Sequence, residues 1–118
     1  MKRYHLILDV EYRSFPEDID AQRKLLNDFI HEIVKSIDMS ILRGPDFAYG
    51  SESSKGAQEG WSATTIIDFS SITIHHFNQS KEIKLDVFSC KNFDRNAVIT
   101  LTLKTFNARI TNEMMLIV

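Results

Sequence analysis

Residues 60–90 constrain the fold most, because they have the pattern of three consecutive β-strands joined by short turns. Residues 61–69 and 72–77 are rich in Ile, Thr and aromatic side chains, which suit a pleated, half-buried surface. Residues 78–81 (NQSK) have the composition of a turn, and apolar and polar residues then alternate up to Cys90. The stretch therefore predicts a β-meander.

The strands of this meander carry four side chains of the kinds that perform covalent and acid–base chemistry: Ser62, Ser70, His75 and Cys90. Side chains alternate along a strand, so His75 and His76 point to opposite faces and cannot chelate one metal ion together. We therefore expect no metal site. The local pattern leaves open whether the four reactive side chains meet.

Ahead of the meander, the sequence predicts a strand, a helix and a long loop. Residues 4–12 alternate as a strand, and Pro16 ends it. A helix capped by Asp18 or Asp20 follows, because apolar residues recur at helical spacing: Ala21, Leu25, Phe29, Ile30, Ile33, Val34 and Ile37. Residues 39–42 are predicted to form a short strand that ends at Gly44-Pro45. Residues 46–60 have the composition of a loop.

Two interpretations compete for residues 92–107. Ile99, Leu101 and Leu103 alternate with polar residues, which favours a strand. The same apolar residues also form helical faces, with Asp94 placed to cap the start and Asn107 near the end. Residues 114–118 are predicted to form a terminal strand.

Length and composition indicate one globular domain over residues 1–118, because 43% apolar and 25% charged residues are ordinary values for such a domain. A formal net charge of −2 argues against nucleic acid as a partner. No apolar run has the length of a membrane span, and Asp9 interrupts the apolar N-terminal run, so we expect neither a membrane partner nor a signal peptide. The single cysteine fits a reducing, cytoplasmic location.

Four segments resemble the prokaryotic S-adenosylmethionine decarboxylase family. Residues 60–63 (GWSA), 69–75 (FSSITIH) and 86–90 (DVFSC) are similar to the family patterns G-x-S-G, E-S-H-x-S-I-H and D-V-F-T-C. The offsets between the four reactive residues match without a gap. Residues 5–9 (HLILD) resemble the family's H-L-x-x-E, so the likeness spans most of the chain.

The resemblance implies an α+β, two-layer fold, an antiparallel sheet with two helices on one face, with a helix rather than a strand at 94–106. It also implies a pyruvoyl-dependent carboxy-lyase of spermidine biosynthesis, made by self-cleavage between Phe69 and Ser70. Ser70 becomes the pyruvoyl group, whose ketone forms a Schiff base with the substrate amine and withdraws electrons. In this correspondence His75 takes the α-proton during elimination, Ser62 orients the ester, and Cys90 protonates the product. The family builds its sites from two protomers, which implies a homodimer.

Departures from the family pattern fall on substrate recognition. Phe69 stands where the family has Glu, Ser71 replaces a histidine, and the family's F-x-P-Y segment before Gly60 is absent. Trp61 or Phe47 is therefore expected to stack the adenine. Substrate binding is assigned to Asp9, Glu59, Trp61 and Phe69. The alternatives are a decarboxylase for another amino acid, such as arginine or ornithine, and an unprocessed homologue that acts as a binding or regulatory partner.

Overall fold

A computed structural model describes residues 1–51 and 58–118. Its elements follow the chain as β1 Tyr4–Tyr12, α1 Ile19–Ser36, β2 Ile41–Gly50, β3 Gly60–Ile67, β4 Ser70–Phe77, β5 Glu82–Ser89, α2 Arg95–Phe106 and β6 Ala108–Ile117. This order confirms the α+β prediction, the β-meander and the helix at 94–106. Of the predicted loop at 46–60, residues 52–57 lie outside the described residues.

Within the described residues, the strands form one antiparallel sheet in the order β2-β3-β4-β5-β1-β6. One face packs against both helices, and its central positions are filled by apolar side chains with at most 1% exposure: Leu6, Leu8, Val10, Ile67, Ile72, Ile74, Ile83, Leu85 and Val87. We call the other side the open face. It carries the polar half of each alternating strand together with several exposed apolar side chains: Ile66, Met114 and Leu116.

Caps explain where both helices begin and why the helix prevails over the strand at 94–106. Asp18 accepts a hydrogen bond from the amide of Ala21 at 2.9 Å, and Asp94 accepts one from Asn96 at 2.9 Å. Asn107 takes the left-handed conformation at the end of α2, with φ of 46°. The helix buries Val98, Ile99, Thr102 and Phe106, while Leu101 and Leu103 stay partly exposed.

Several strand boundaries differ from the sequence prediction, and the turn between β3 and β4 is one of them, since β3 ends at Ile67 and β4 begins at Ser70. The strand β2 does not stop at Gly44-Pro45 but continues through it to Gly50, so residues 46–50 are strand rather than loop. A proline is tolerated there because β2 is an edge strand, and the pairing with β3 shifts register between Arg43 and Asp46. At the other end, β6 begins at Ala108 and is longer than the predicted strand at 114–118.

Neither helix has both the length and the apolar character that a transmembrane helix requires, as far as the structure describes the chain.

Candidate active site

Ser62 and His75 lie directly opposite each other on β3 and β4. Both side chains are on the open face, and Ser62 Oγ is 2.7 Å from His75 Nδ1. Ser62, His75 and Asp46 line a shallow cleft of about 200 Å³ on this face. The remaining nitrogen of the exposed His75 imidazole therefore faces outward, where it can take or give a proton.

Gly60 allows the chain to approach closely just before Ser62. A Cβ atom at this position would overlap the carbonyl oxygen of His76 on the adjacent strand, so no larger residue fits without a shift of the backbone. The amide of Trp61 then points at His76 Nδ1 at 3.4 Å. These contacts place Ser62 in register with His75.

Ser70 begins β4 on the opposite, helix-facing side of the sheet. It is 6% exposed, pairs with Ser89 on β5, and donates a hydrogen bond from its hydroxyl to Ser89 Oγ at 3.1 Å. The turn before it consists of Asp68 and Phe69, and Asp68 accepts a hydrogen bond from the amide of Ser40 at 2.9 Å. Phe69 has a φ of 47° and a side chain that is 90% exposed. Left-handed backbone at a non-glycine residue is strained by about 1–2 kcal/mol.

Cys90 follows the end of β5 at the same end of the sheet as Ser70. Its thiol is partly exposed and forms no disulfide, since it is the single cysteine of the chain. Together with Phe69, Asp68, Lys91 and Met1, it lines a mainly apolar cavity of about 380 Å³. The junction between Phe69 and Ser70 thus has a thiol beside it.

The four predicted catalytic residues therefore form two separate groups in one chain. Ser70 and His75 are five residues apart on β4, a separation of about 16 Å, and they face opposite sides of the sheet. Cys90 lies six residues beyond Lys84, which is the register partner of His75, so about 20 Å separates the thiol from the imidazole. One chain alone does not bring all four side chains together.

Asp9, a predicted substrate ligand, is held within the open face. It contacts Lys84 Nζ at 3.3 Å and Asn112 Nδ2 at 3.1 Å, and its side chain is only 15% exposed. In the same row of the sheet, Lys84 is the register partner of both Asp9 and His75. The carboxylate of Asp9 is thus already paired with a cation.

Trp61 and Phe47 lie on the helix-facing side and not beside Ser62 and His75. The indole Nε1 of Trp61 donates to the carbonyl oxygen of Ile19 at 2.9 Å, and the Phe47 ring lies 5.3 Å beneath the guanidinium of Arg23. Both rings therefore lie across the sheet from His75, and their stacking of an adenine stays a prediction. Glu59 is half-buried just before β3, where its amide donates to Gln79 Oε1 at 2.8 Å.

Sequence reasoning missed Ser89, which is fully buried and accepts the hydrogen bond of Ser70. The sequence did contain a signal for the contact between Ser70 and Ser89. The predicted turn at 78–81 places Phe77 opposite Glu82, and counting back along both strands places Ser70 opposite Ser89. It also missed the contact between His5 Nε2 and Asp86 Oδ1 at 2.8 Å on the open face.

No cluster of three His, Cys, Asp or Glu side chains suited to a metal ion occurs among residues 1–51 and 58–118. The model of the S-adenosylmethionine decarboxylase family matches residues 4–116, a range that contains both helices and nearly all of the sheet. A search of curated proteins found no match.

Proposed function

We propose that this chain, which belongs to the S-adenosylmethionine decarboxylase family, cuts itself between Phe69 and Ser70 to become a pyruvoyl-dependent decarboxylase. The observation that carries the proposal is the junction itself. A buried serine hydroxyl directly follows a residue held at a φ of 47°. Strain stored beside a peptide bond favours a reaction that breaks the bond.

The junction fits a pyruvoyl precursor chemically. Ser70 Oγ attacks the carbonyl carbon of Phe69, the bond from that carbon to Ser70 N breaks, and the hydroxyl proton moves to the nitrogen. The peptide becomes an ester with a free amine. Loss of the Ser70 α-proton then expels the Phe69 carboxylate from Cβ, and water replaces the amine as ammonia. The reaction needs only water besides the chain.

The chain's own residues supply the proton transfers. His75 is suited to take the α-proton of Ser70, because an imidazole exchanges protons near neutral pH. Ser62, 2.7 Å from its Nδ1, holds the imidazole in place and orients the ester. Cys90, beside Phe69, is in position to give a proton to the product carbon. The pyruvoyl group itself, once formed from Ser70, supplies the electron sink for decarboxylation.

Two protomers are needed to complete this site. In the dimer that we propose, the open faces of two protomers pack against each other across a two-fold axis. The axis runs perpendicular to the strands at the level of Thr73, so His75 of each chain lies opposite Ser70 and Cys90 of the other. Thr73 lies midway because Ser70 and His75 are at opposite ends of β4. The exposed apolar side chains of the open face support this arrangement, because such patches mark interfaces.

Intact-mass measurement on the purified chain tests the proposal. We expect two fragments, one ending at Phe69 and one beginning with a pyruvoyl group at position 70. Ser70→Ala should give one intact chain, because no hydroxyl remains to attack. Ser71→Ala should still cleave, since Ser71 lies on the open face away from Ser89. A wild-type chain that stays whole contradicts the proposal and favours the unprocessed binding partner instead.

Co-expression of two inactive variants tests whether the site is shared. A His75→Ala chain keeps Ser70, and a Ser70→Ala chain keeps His75, so only their heterodimer contains one complete site. We expect cleavage of the His75→Ala chain alone, detected by a distinct tag. The control pairs His75→Ala with the His75→Ala/Ser70→Ala double variant, which should leave both chains intact. Cleavage that depends on His75 of the same chain would rule out the shared site.

S-adenosylmethionine is the substrate that family membership favours. Phe69 replaces the family's Glu with an exposed apolar ring, which removes a negative charge next to the site. A cationic substrate then loses part of its attraction. Release of CO₂ from S-adenosylmethionine, arginine and ornithine by the cleaved protein decides between these substrates.

A further inference from the structure

We propose that Ser89 is a positioning residue for self-cleavage, because it fixes the hydroxyl of Ser70 in the orientation that attacks Phe69. The inference rests on the proposed function. Ser89 lies on the helix-facing side of the sheet, across from His75, and we give it no part in proton transfer to the substrate.

Each of the three hydrogen-bonding positions of the Ser89 hydroxyl, its proton and its two lone pairs, has a partner in the structure. Its proton points to the carbonyl oxygen of Lys91 at 2.6 Å, and its oxygen accepts from the amide of Lys91 at 2.9 Å. A hydroxyl has one proton and two lone pairs, so one acceptor position remains, and Ser70 occupies it at 3.1 Å. Ser89 cannot donate to Ser70, and the direction of the bond between the two serines is therefore determined.

This direction leaves the Ser70 oxygen ready to react. Because Ser70 donates its proton to Ser89, both lone pairs of its oxygen stay available. No residue among 1–51 and 58–118 donates a hydrogen bond to Ser70 Oγ in this structure. The contact also restricts rotation about the Cα–Cβ bond, since Ser89 is fully buried and tied to the backbone of Lys91. An oriented nucleophile needs less ordering to reach its transition state.

In the step that Ser89 assists, the bond from Ser70 Oγ to the Phe69 carbonyl carbon forms while the bond from that carbon to Ser70 N breaks. The hydroxyl proton that Ser89 accepts in a hydrogen bond ends on Ser70 N, so no atom is gained or lost. Ser89 keeps its own proton throughout, donating it in a hydrogen bond to the carbonyl oxygen of Lys91.

The test is the rate of cleavage of newly refolded full-length chain, followed by intact mass. Ser89→Ala removes the acceptor, and we expect cleavage to slow roughly tenfold, the effect of losing one orienting hydrogen bond. Ser89→Thr keeps the hydroxyl and should restore the wild-type rate to within about a factor of two. Ser36→Ala is the matched control. It loses a bond of 2.7 Å to the carbonyl oxygen of Ile33, a bond within α1 that involves neither Ser70 nor Ser89, and should cleave normally.

A second measurement separates positioning from folding. Melting temperatures of Ser70→Ala and of Ser70→Ala/Ser89→Ala report what Ser89 contributes to stability when no cleavage takes place. A wild-type rate in Ser89→Ala, or a Ser89→Thr variant as slow as Ser89→Ala, overturns the inference while the proposed function stands. A wild-type chain that never cleaves overturns both.

Discussion

At the scale of single residues, His76 shows how burial sets a protonation state. The imidazole is 3% exposed and stacks on Phe15, with ring centres 4.3 Å apart. Its Nδ1 accepts from the amide of Trp61, so its Nε2 donates to Tyr12 at 3.2 Å, and Tyr12 donates to the carbonyl oxygen of Phe77 at 3.4 Å. Burial lowers the pKa of His76 to about 4 and raises the pKa of Tyr12 to about 12. Both side chains are therefore neutral at pH 7.

This lowered pKa predicts a loss of stability in acid. The unfolded chain binds a proton at His76 below about pH 6.5, whereas the folded chain resists it down to about pH 4. The stabilisation is thus complete above pH 6.5 and is lost as the pH falls through 4. The measurement is urea unfolding from pH 7 to 4 on the wild-type chain and on His76→Gln, which cannot titrate. We expect the difference in unfolding free energy between them to shrink with falling pH.

His31→Gln is the control for this experiment, because His31 is exposed on α1. Its unfolding free energy should follow that of the wild-type chain across the same range. A His76→Gln variant that also follows the wild-type curve would contradict the lowered pKa.

At the scale of elements, the cap of α2 decides between two structures that residues 94–106 allow. Asp94 bonds the amide of Asn96, and Asp94→Ala should lower the free energy of unfolding by about 1 kcal/mol, because an amide at the helix start loses its partner. Asp94→Asn keeps an acceptor and should retain most of this stability. Chemical denaturation measures both. Asp20→Ala, in the first turn of α1 but not at its cap, serves as the comparison and should change little.

At the scale of the whole molecule, the open face predicts a homodimer. Thr73 lies at the level of the proposed two-fold axis and is the register partner of Asp86. In Thr73→Glu, a carboxylate would face both Asp86 and its own copy in the other protomer, and like charges repel across an interface. We expect light scattering at micromolar concentration to give a dimer mass for the wild-type chain and a monomer mass for the variant.

Self-cleavage should be lost together with the dimer, since each proposed site needs both protomers. Thr100→Glu, on the exposed side of α2, is the matched control and should remain dimeric and cleave. A monomeric wild-type chain that still cleaves would exclude the shared site.

Local pattern in the sequence was sufficient to predict the central sheet. Alternation assigned each side chain of β4 to a face, because side chains on a strand point to opposite sides in turn. The four-residue turn at 78–81 also implies that Ser70 lies opposite Ser89, a pairing that sequence reasoning missed, since antiparallel register follows from the turn. Family patterns located the four reactive residues and selected the helix at 94–106.

The tertiary structure decided those features that depend on contacts between residues far apart in the chain. The strand β2 passes through Gly44-Pro45 because it lies at the edge of the sheet, and its composition alone does not reveal that position. Alternation and spacing along β4 already place Ser70 and His75 apart and on opposite faces of the sheet. Only the tertiary structure decides which face the helices cover, because both helices come from other parts of the chain, and their packing leaves Ser70 buried and His75 exposed.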